Sequence, residues 1–192
     1  MVTNLAELPA DLPRPLDDGS ADHLLSLNIP ILDLPSTNGN VVSTERFQKG
    51  LHILFFYPLT GRPGVDLPNG WDAIPGARGC TPECLMFAIQ YAELSKLGFS
   101  LVGISTQDQD YQQEMATRLN LPFEILSDAK MLLTRALNLP TMIVEGKTLL
   151  KRITLAIENG IIKKVFYPVF PPDKHPAEVV YWARSFKSRG QK

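Results

Sequence analysis

The apolar and polar positions of the chain follow two alternating patterns along its length. Residues 51–57 and 100–105 are apolar at nearly every position, which is typical of strands that are covered on both faces. Further strands are predicted at 29–34, 41–42, 123–126, 142–144, 152–157 and 161–167. Apolar spacing of three to four residues predicts helices at 80–97, 109–119, 129–137 and 177–187, and a short helical turn at 44–47.

The order of these elements predicts an α/β fold of thioredoxin-like type. Strand–helix–strand units come first, and a hairpin that turns at Asn159-Gly160 and a last helix follow, so we expect a central mixed sheet flanked by helices. Residues 1–28 are rich in proline and are predicted to form an N-terminal extended arm. Residues 29–192 are predicted to form one domain, in which a long Gly/Pro-rich loop at 58–79 precedes the first long helix.

Composition narrows the range of functions. The chain has 192 residues, 44% of them apolar, and a net charge of −1, which gives no electrostatic basis for a nucleic-acid or membrane-surface partner. No apolar run reaches the ~18 residues of a membrane span, and the first residues do not have the pattern of a signal peptide. Two cysteines are too few for a disulfide scaffold, so we expect a cytoplasmic location.

The most informative motif is Gly79-Cys80-Thr81-Pro82-Glu83-Cys84, which follows the long loop and opens a predicted helix. Thr81 suits the N-cap and Pro82 the first helical position. Cys80 then lies at the positive end of the helix dipole, where a lowered thiol pKa is expected. The alternative interpretation is that both cysteines are small buried apolar residues. Trp71, within the loop, is interpreted as a plug that packs the loop onto the core.

Motifs spread over residues 28–168 resemble the peroxiredoxin family, and especially its Q-type (bacterioferritin-comigratory) branch. They are Phe56-Tyr57-Pro58, Gly79-Cys80-Thr81-Pro82-Glu83, Leu101-Val102-Gly103-Ile104-Ser105, Leu121-Pro122-Phe123, Leu126-Ser127-Asp128 and Lys151-Arg152-Ile153-Thr154. Together, and in this order, they are specific. The fold that the resemblance implies is the thioredoxin-like fold that the element order predicts.

The resemblance implies roles for four residues. Cys80 corresponds to the peroxidatic nucleophile, and Cys84 is a candidate resolving thiol. Arg152 corresponds to the arginine that stabilises the thiolate and polarises the peroxide, a role that suits a guanidinium. Without the resemblance, Arg152 would be interpreted as an exposed strand residue. Glu83 is either the residue that orients Arg152 or a carboxylate that suits the first helical turn.

The sequence departs from the family pattern at two points. The family usually carries a threonine three residues before the nucleophile, where this chain has Ala77. Thr60, if the loop folds back, or Thr81 could supply the missing hydroxyl. The Q-type resolving cysteine usually comes five residues after the nucleophile, whereas Cys84 comes four after Cys80.

The function that the resemblance implies is a thiol-dependent peroxidase that reduces hydrogen peroxide or alkyl hydroperoxides through a cysteine sulfenic acid. Thioredoxin, glutaredoxin or a low-molecular-weight thiol would be the reductant. No metal or organic cofactor is required, and the oligomeric state is a monomer or a homodimer. Phe170, Tyr181 and Trp182 would pack in the core or serve the dimer surface.

Two alternatives use the same cysteine pair. A copper chaperone of the Sco type also carries Cys-x-x-x-Cys on this scaffold, with a distant histidine as third ligand. Here Arg152 stands where that histidine would be expected, and His175 lies in a loop beyond the predicted hairpin. A protein disulfide reductase would require two intervening residues rather than three. Copper titration and insulin-type disulfide reduction would identify these two classes.

Overall fold

The structure, a computed structural model, describes residues 5–189, so the outermost residues of the predicted arm and domain, 1–4 and 190–192, lie outside the described residues. The strands are β1 (Asp33–Pro35), β2 (Val41–Ser43), β3 (Leu51–Phe56), β4 (Phe99–Ser105), β5 (Ile125–Ser127), β6 (Thr141–Val144), β7 (Lys147–Leu150), β8 (Ile153–Glu158) and β9 (Ile161–Phe166). The helices are α1 (Cys80–Lys96), α2 (Gln109–Arg118), α3 (Leu132–Ala136) and α4 (His175–Arg189), and short 3-10 turns lie at Asp22–Leu24, Thr44–Gln48 and Trp71–Ala73.

The central sheet is mixed and has the strand order β5-β4-β3-β8-β9. β3, β4 and β5 run parallel, whereas β8 pairs antiparallel with both β3 and β9. β1–β2 and β6–β7 form two separate antiparallel pairs. The predicted α/β class and mixed sheet are confirmed.

β3 is buried on both faces, as its continuous apolar sequence predicts. Leu54 and Phe56 pack into one core together with α3, while Ile53 and Phe55 pack into a second core together with α1 and α4. The sheet is therefore covered on both sides, and the end of β3 leads directly into the long loop before α1.

The arm predicted for residues 1–28 is only partly correct. Residues 5–20 lie along the surface, and we call this segment the N-terminal strap. Leu24 is fully buried in the first core, and Asn28 forms a β-bridge with Ile161 of β9. Residues 21–28 are therefore part of the packed domain, because Ala21 and Leu24 are buried in the first core and the backbones of Ser26 and Leu27 hydrogen-bond to Ile162 of β9.

α3 begins later than predicted. Met131 has a φ of +54°, which is incompatible with a helical residue, so the helix starts after it. The carboxylate of Asp128 accepts hydrogen bonds from the backbone N–H groups of Leu133 and Thr134. Asp128 thus caps the helix, as its sequence position suggested, but across a turn rather than from the adjacent residue.

One strand and one helix boundary also differ from the prediction. Strand β7 was not predicted, because its first two residues are exposed and only Leu149 and Leu150 are buried. It pairs with β6 through a tight turn at Glu145 and Gly146, both of which have positive φ angles. Helix α4 begins at His175 rather than at residue 177.

The buried face of α1 was predicted only in part from Leu85, Ala88, Ile89, Ala92 and Leu97, of which Ala88 and Leu97 are half-buried against the second core. Ile89 is 67% exposed, and Ala92 is exposed as well. The helix packs against α4 and β4 through Cys84, Phe87 and Leu94. Both faces carry apolar residues at helical spacing, so periodicity alone could not select the buried one. Within residues 5–189, no helix has the length and apolar character needed to cross a bilayer.

Candidate active site

Cys80 is the first residue of α1, and Gly79 rather than Thr81 is the N-cap. Gly79 has a φ of +108°, which favours glycine, and its carbonyl accepts a hydrogen bond from the backbone N–H of Glu83 at 3.0 Å. A Cβ atom at this position would lie 2.8 Å from Leu8 Cδ2 and closer still to Pro172. Close packing and backbone conformation therefore both require glycine before Cys80.

The thiol of Cys80 is 2% exposed and is surrounded by donors from two other segments. Arg152 Nη2 donates to Sγ at 3.2 Å, and the backbone N–H of Leu59 also donates to it. The thiol itself donates to the carbonyl of Ala77 at 3.6 Å. Two N–H donors thus converge on the sulfur, an arrangement that stabilises negative charge on it.

Arg152 reaches the thiol because of the sheet register. Ile153, at the start of β8, pairs with Phe56, at the end of β3, so the residue before β8 lies where β3 leads into the loop. The side chain of Arg152 is 1% exposed, so Arg152 is not the exposed strand residue that would be expected without the family resemblance. Its Nη2 also donates to the carbonyls of Ala77 at 3.1 Å and Arg78 at 3.3 Å.

Glu83 forms a buried ion pair with the same guanidinium. Arg152 Nη1 donates to Glu83 Oε2, and the carboxylate is fully buried. Within the described residues, Glu83 Oε1 and Arg152 Nε are buried without a hydrogen-bond partner. The pair is therefore held by one strong charged contact, while Nη2 of Arg152 serves the sulfur and the loop carbonyls.

The pKa of Cys80 is raised rather than lowered, contrary to the expectation from its helix N-terminus. Burial of the thiol is the largest cause and disfavours the thiolate. Arg152 lowers the pKa, Glu83 raises it, and the Leu59 N–H lowers it. Burial also raises the pKa of Glu83, against the influence of Arg152 and His175. The closed site thus favours the protonated thiol, while its donors are arranged around the charge that forms on deprotonation.

Cys84 lies one turn further along α1 and is also a free, buried thiol. It packs in the second core together with Phe87 and Phe55. Burial raises its pKa well above the ordinary value, and Glu83 and Cys80 add to this effect. Cys84 is therefore a protonated core residue in this conformation.

Thr60 does not supply a hydroxyl to Cys80. The loop does fold back to the thiol, but Leu59 makes the contact through its backbone. The hydroxyl of Thr60 donates instead to Gln107 Oε1 at 3.0 Å, and the Thr60 N–H donates to the same oxygen at 2.9 Å. Thr81 is buried within the first turn of α1, and the contacts described for Sγ come from other residues.

Sequence reasoning missed Leu59 and Gln107. A backbone N–H donor has no side-chain signature, so the sequence contains no signal for Leu59. Gln107 follows β4, in the Ser-Thr-Gln-Asp segment at the carboxyl end of a parallel strand. That position was a usable signal, because ligand sites in parallel sheets lie at this edge.

The long loop is held to the body of the protein by a small apolar cluster. Trp71 is 3% exposed and packs with Val144 and Leu149 of the β6–β7 hairpin. Trp71 is therefore the plug that the sequence suggested. Arg78, which is also buried, forms an ion pair with Asp72 within the loop at 3.2 Å.

Two cavities border these residues. The first, which we call the thiol pocket, is lined by Cys80 together with Leu5, Leu59, Gly61, Leu67 and Trp71, among others, and measures about 10 Å³. That volume has room for roughly one water molecule. A second cavity of about 230 Å³ borders Arg152 but not Cys80.

Within residues 5–189, no third ligand for a copper ion is grouped with the two cysteines. His175 Nε2 hydrogen-bonds to Thr154 Oγ1 at 2.8 Å, and its Nδ1 lies 3.2 Å from Glu178 Oε2. Its ring is packed edge-on against Phe87 and Phe166. In the part of the chain that the structure describes, no three His, Cys, Asp or Glu side chains are grouped so that they could hold a metal ion.

On the last helix, Trp182 packs against Phe99, Phe166 and Phe186, whereas Tyr181 is 75% exposed. Trp182 is therefore a packing residue. A role of Tyr181 in a dimer surface stays a prediction.

Comparison with known proteins gives a consistent result. A family model described as Redoxin matches residues 20–181. The putative peroxiredoxin bcp of Coxiella burnetii is 31% identical over 157 residues, which is 79% of this chain and 92% of that protein. The chloroplastic peroxiredoxin Q of Sedum lineare is 27% identical over 159 residues, which is 82% of this chain and 76% of that protein.

Solved structures show the same fold. The peroxidoxin BcpB of Mycobacterium tuberculosis superposes with a TM-score of 0.68 at 24% identity, over 84% of this chain and 96% of that one. The bacterioferritin comigratory protein of Xanthomonas campestris, whose structure was described for its alkyl peroxide reduction activity, superposes with a TM-score of 0.64 at 19% identity, over 92% and 99% of the two chains.

Proposed function

We propose that Cys80 is the peroxidatic cysteine of this protein. The chain belongs to the redoxin family as a Q-type peroxiredoxin, and it is therefore a thiol peroxidase. The observation that carries this assignment is the hydrogen bond from the buried Arg152 guanidinium to Cys80 Sγ at the start of α1. Cys84 lacks this bond, and burial raises its pKa further.

In the first step, the Cys80 thiolate attacks one oxygen of a hydroperoxide. A sulfur–oxygen bond forms, the O–O bond breaks, and the departing oxygen takes up a proton to leave as water or an alcohol. Arg152 Nη2 and the Leu59 N–H point at the sulfur, so they stabilise the charge that develops there. Glu83 holds the guanidinium in position through its buried ion pair.

In the second step, the thiol of Cys84 condenses with the sulfenic acid of Cys80. A disulfide forms and water is released. Four residues apart in a regular helix, the two Cβ atoms are ~5–6 Å from each other, whereas a disulfide needs ~3.5–4.5 Å. The first turn of α1 must therefore open. Leu8 and Pro172 pack closely on Gly79, so they must move as well.

A dithiol such as thioredoxin or glutaredoxin, or a low-molecular-weight thiol, then reduces the disulfide by thiol exchange. Hydrogen peroxide and alkyl hydroperoxides are the proposed substrates, and the activity for which the X. campestris relative was described supports the second class. A cytoplasmic location and a monomeric or homodimeric state stay predictions.

Mass spectrometry of the reduced protein after one equivalent of hydrogen peroxide tests the assignment. We expect the 79–96 segment to lose two hydrogens as the Cys80–Cys84 disulfide forms. Cys80→Ser should abolish peroxide consumption while leaving the unfolding transition in place, since a serine hydroxyl is a poor nucleophile toward peroxide. Substantial peroxide reduction by this variant would overturn the assignment.

A further inference from the structure

The N-terminal strap covers the thiol of Cys80. Leu5 lines the thiol pocket, and its Cδ2 lies 2.5 Å from the place where a Cβ atom on Gly61 would stand. Leu8 lies equally tightly against Gly79, the residue before Cys80. Two leucines of the strap thus rest directly on glycines that line the thiol pocket, where a larger residue would displace them.

The strap contacts the protein along one face. Leu5, Leu8, Leu12, Pro13 and Pro15 are half-buried, whereas residues 6–7, 9–11, 14 and 16–19 are exposed. Pro15 packs on Gly76, so the contact continues from the thiol pocket along the loop that precedes α1. This partial burial indicates a segment that packs on the surface over the site and is not part of the core.

Between residues 8 and 18, the strap is attached by side chains. No backbone–backbone hydrogen bond joins residues 8–18 to any other described segment. Its far end is held by Asp18, which pairs with Lys151 Nζ at 2.5 Å and accepts a hydrogen bond from the Tyr167 hydroxyl at 2.9 Å. Ion pairs that are as exposed as this one contribute little to stability, so this end of the strap is weakly held.

With the strap seated, the thiol pocket measures about 10 Å³, roughly the space of one water molecule. This space beside Sγ has no room for the organic substituent of a hydroperoxide. We infer that Leu5 and Leu8 act as a size filter, so that displacement of the strap admits organic hydroperoxides to Cys80. This inference rests on the proposed function of Cys80 for its substrate class, but its geometry applies to any reagent that approaches the thiol.

The test compares a Leu5→Ala, Leu8→Ala double variant with the wild-type protein and with Leu25→Ala. Leu25 is 56% exposed and lies outside the strap, so it is a matched control for the loss of a leucine side chain. The first measurement is the alkylation rate of Cys80 by iodoacetamide and by bulkier N-ethylmaleimide, with fragment-ion mass spectrometry separating Cys80 from Cys84. The second is kcat/KM for cumene hydroperoxide relative to hydrogen peroxide.

If the strap is a filter, the double variant should alkylate at Cys80 about tenfold faster or more, with the larger gain for N-ethylmaleimide, because local opening then no longer limits access. The ratio of cumene hydroperoxide to hydrogen peroxide turnover should rise as well. Cys84 should stay protected, since it is buried in the core and does not line the thiol pocket. Leu25→Ala should match the wild-type protein in both measurements.

An unchanged Cys80 alkylation rate in the double variant would overturn the inference. Equal acceleration at Cys80 and Cys84 would also overturn it, because it would mean that α1 opens or the protein unfolds. Faster alkylation at Cys80 without peroxidase activity in any protein would contradict the proposed function and leave the filter standing. Peroxidase activity with the same ratio of cumene hydroperoxide to hydrogen peroxide turnover in all three proteins would support the proposed function and overturn the filter.

Discussion

Arg152 Nη2 lies 3.2 Å from Cys80 Sγ, although 72 positions separate the two residues in the chain. The same guanidinium binds the Glu83 carboxylate and the carbonyls of Ala77 and Arg78. One side chain therefore connects β8, the end of the long loop and the first turn of α1. Charge on the sulfur and the conformation of the turn that carries it depend on the same group.

Replacement of Arg152 by Met should slow the reaction of Cys80 with peroxide more than the reduction of the resulting disulfide. The loss of an N–H donor to the developing charge corresponds to about 2–4 kcal/mol in the barrier. The pKa of Cys80 should rise, because Arg152 lowers it in the wild-type protein. Stopped-flow kinetics of each half-reaction and the pH dependence of thiol alkylation measure both effects.

Arg135→Met is the matched control for this substitution, since Arg135 is exposed on α3, away from the thiol. It should leave both half-reactions unchanged. An unchanged pKa and rate in Arg152→Met would mean that the hydrogen bond to Sγ has no part in the chemistry.

Glu83→Gln should lower the pKa of Cys80, because the Glu83 charge raises it. The amide oxygen of glutamine can still accept the hydrogen bond of Arg152 Nη1, so the guanidinium should stay oriented. Glu83→Ala loses that acceptor and leaves a buried arginine without its partner, which costs about 3–5 kcal/mol of stability. Thiol titration and chemical unfolding of both variants separate the effect of the Glu83 charge from its effect on the orientation of Arg152. A higher pKa of Cys80 in Glu83→Gln would show that the orientation of Arg152 outweighs the charge of Glu83.

Cys84→Ser should leave the first reaction with peroxide intact and stop turnover with thioredoxin. The sulfenic acid of Cys80 then has no resolving thiol in the same chain and accumulates, which dimedone labelling followed by mass spectrometry detects. Full turnover in this variant would mean that an external thiol resolves the intermediate, and that Cys84 serves only the packing of α1.

The reaction of Cys80 with peroxide should speed up as the pH rises from about 7 to beyond 8.5, because the thiolate is the nucleophile and burial raises the thiol pKa above its ordinary value. The same shift predicts falling stability in alkaline solution. The folded state retains a proton that the unfolded chain has lost, so the free energy of unfolding decreases with pH above the unfolded pKa. A rate that has already levelled off below pH 7 would contradict the shift.

Trp71→Ala should lower the free energy of unfolding by about 3–5 kcal/mol, because it removes a large side chain from the cluster that holds the loop. Val65 lies in the same loop and is 53% exposed, so Val65→Ala serves as the control and should have little effect. Urea titration followed by circular dichroism gives both values. A similar loss in the two variants would mean that Trp71 does not anchor the loop.

Local sequence patterns were sufficient for most of the elements. β3 and β4 follow from continuous apolar runs, and the start of α1 follows from the glycine and proline residues around Cys80. These features depend on neighbours within a few residues, which the sequence contains directly. The buried face of α1 was predicted only in part, because the helix is apolar on two sides and only its packing on α4 and β4 decided between them.

The site itself was only partly open to prediction. Cys80, Cys84, Glu83 and Arg152 carry side-chain chemistry and a family resemblance, so the sequence by itself identified them as candidates. Whether Arg152 meets Cys80 depended on the pairing of β8 with β3, which only the folded sheet determines. The donor from Leu59, the raised pKa of Cys80 and the strap over its thiol arise from backbone groups, burial and long-range contact. These properties belong to the three-dimensional arrangement, because no residue type encodes which distant segment will cover it.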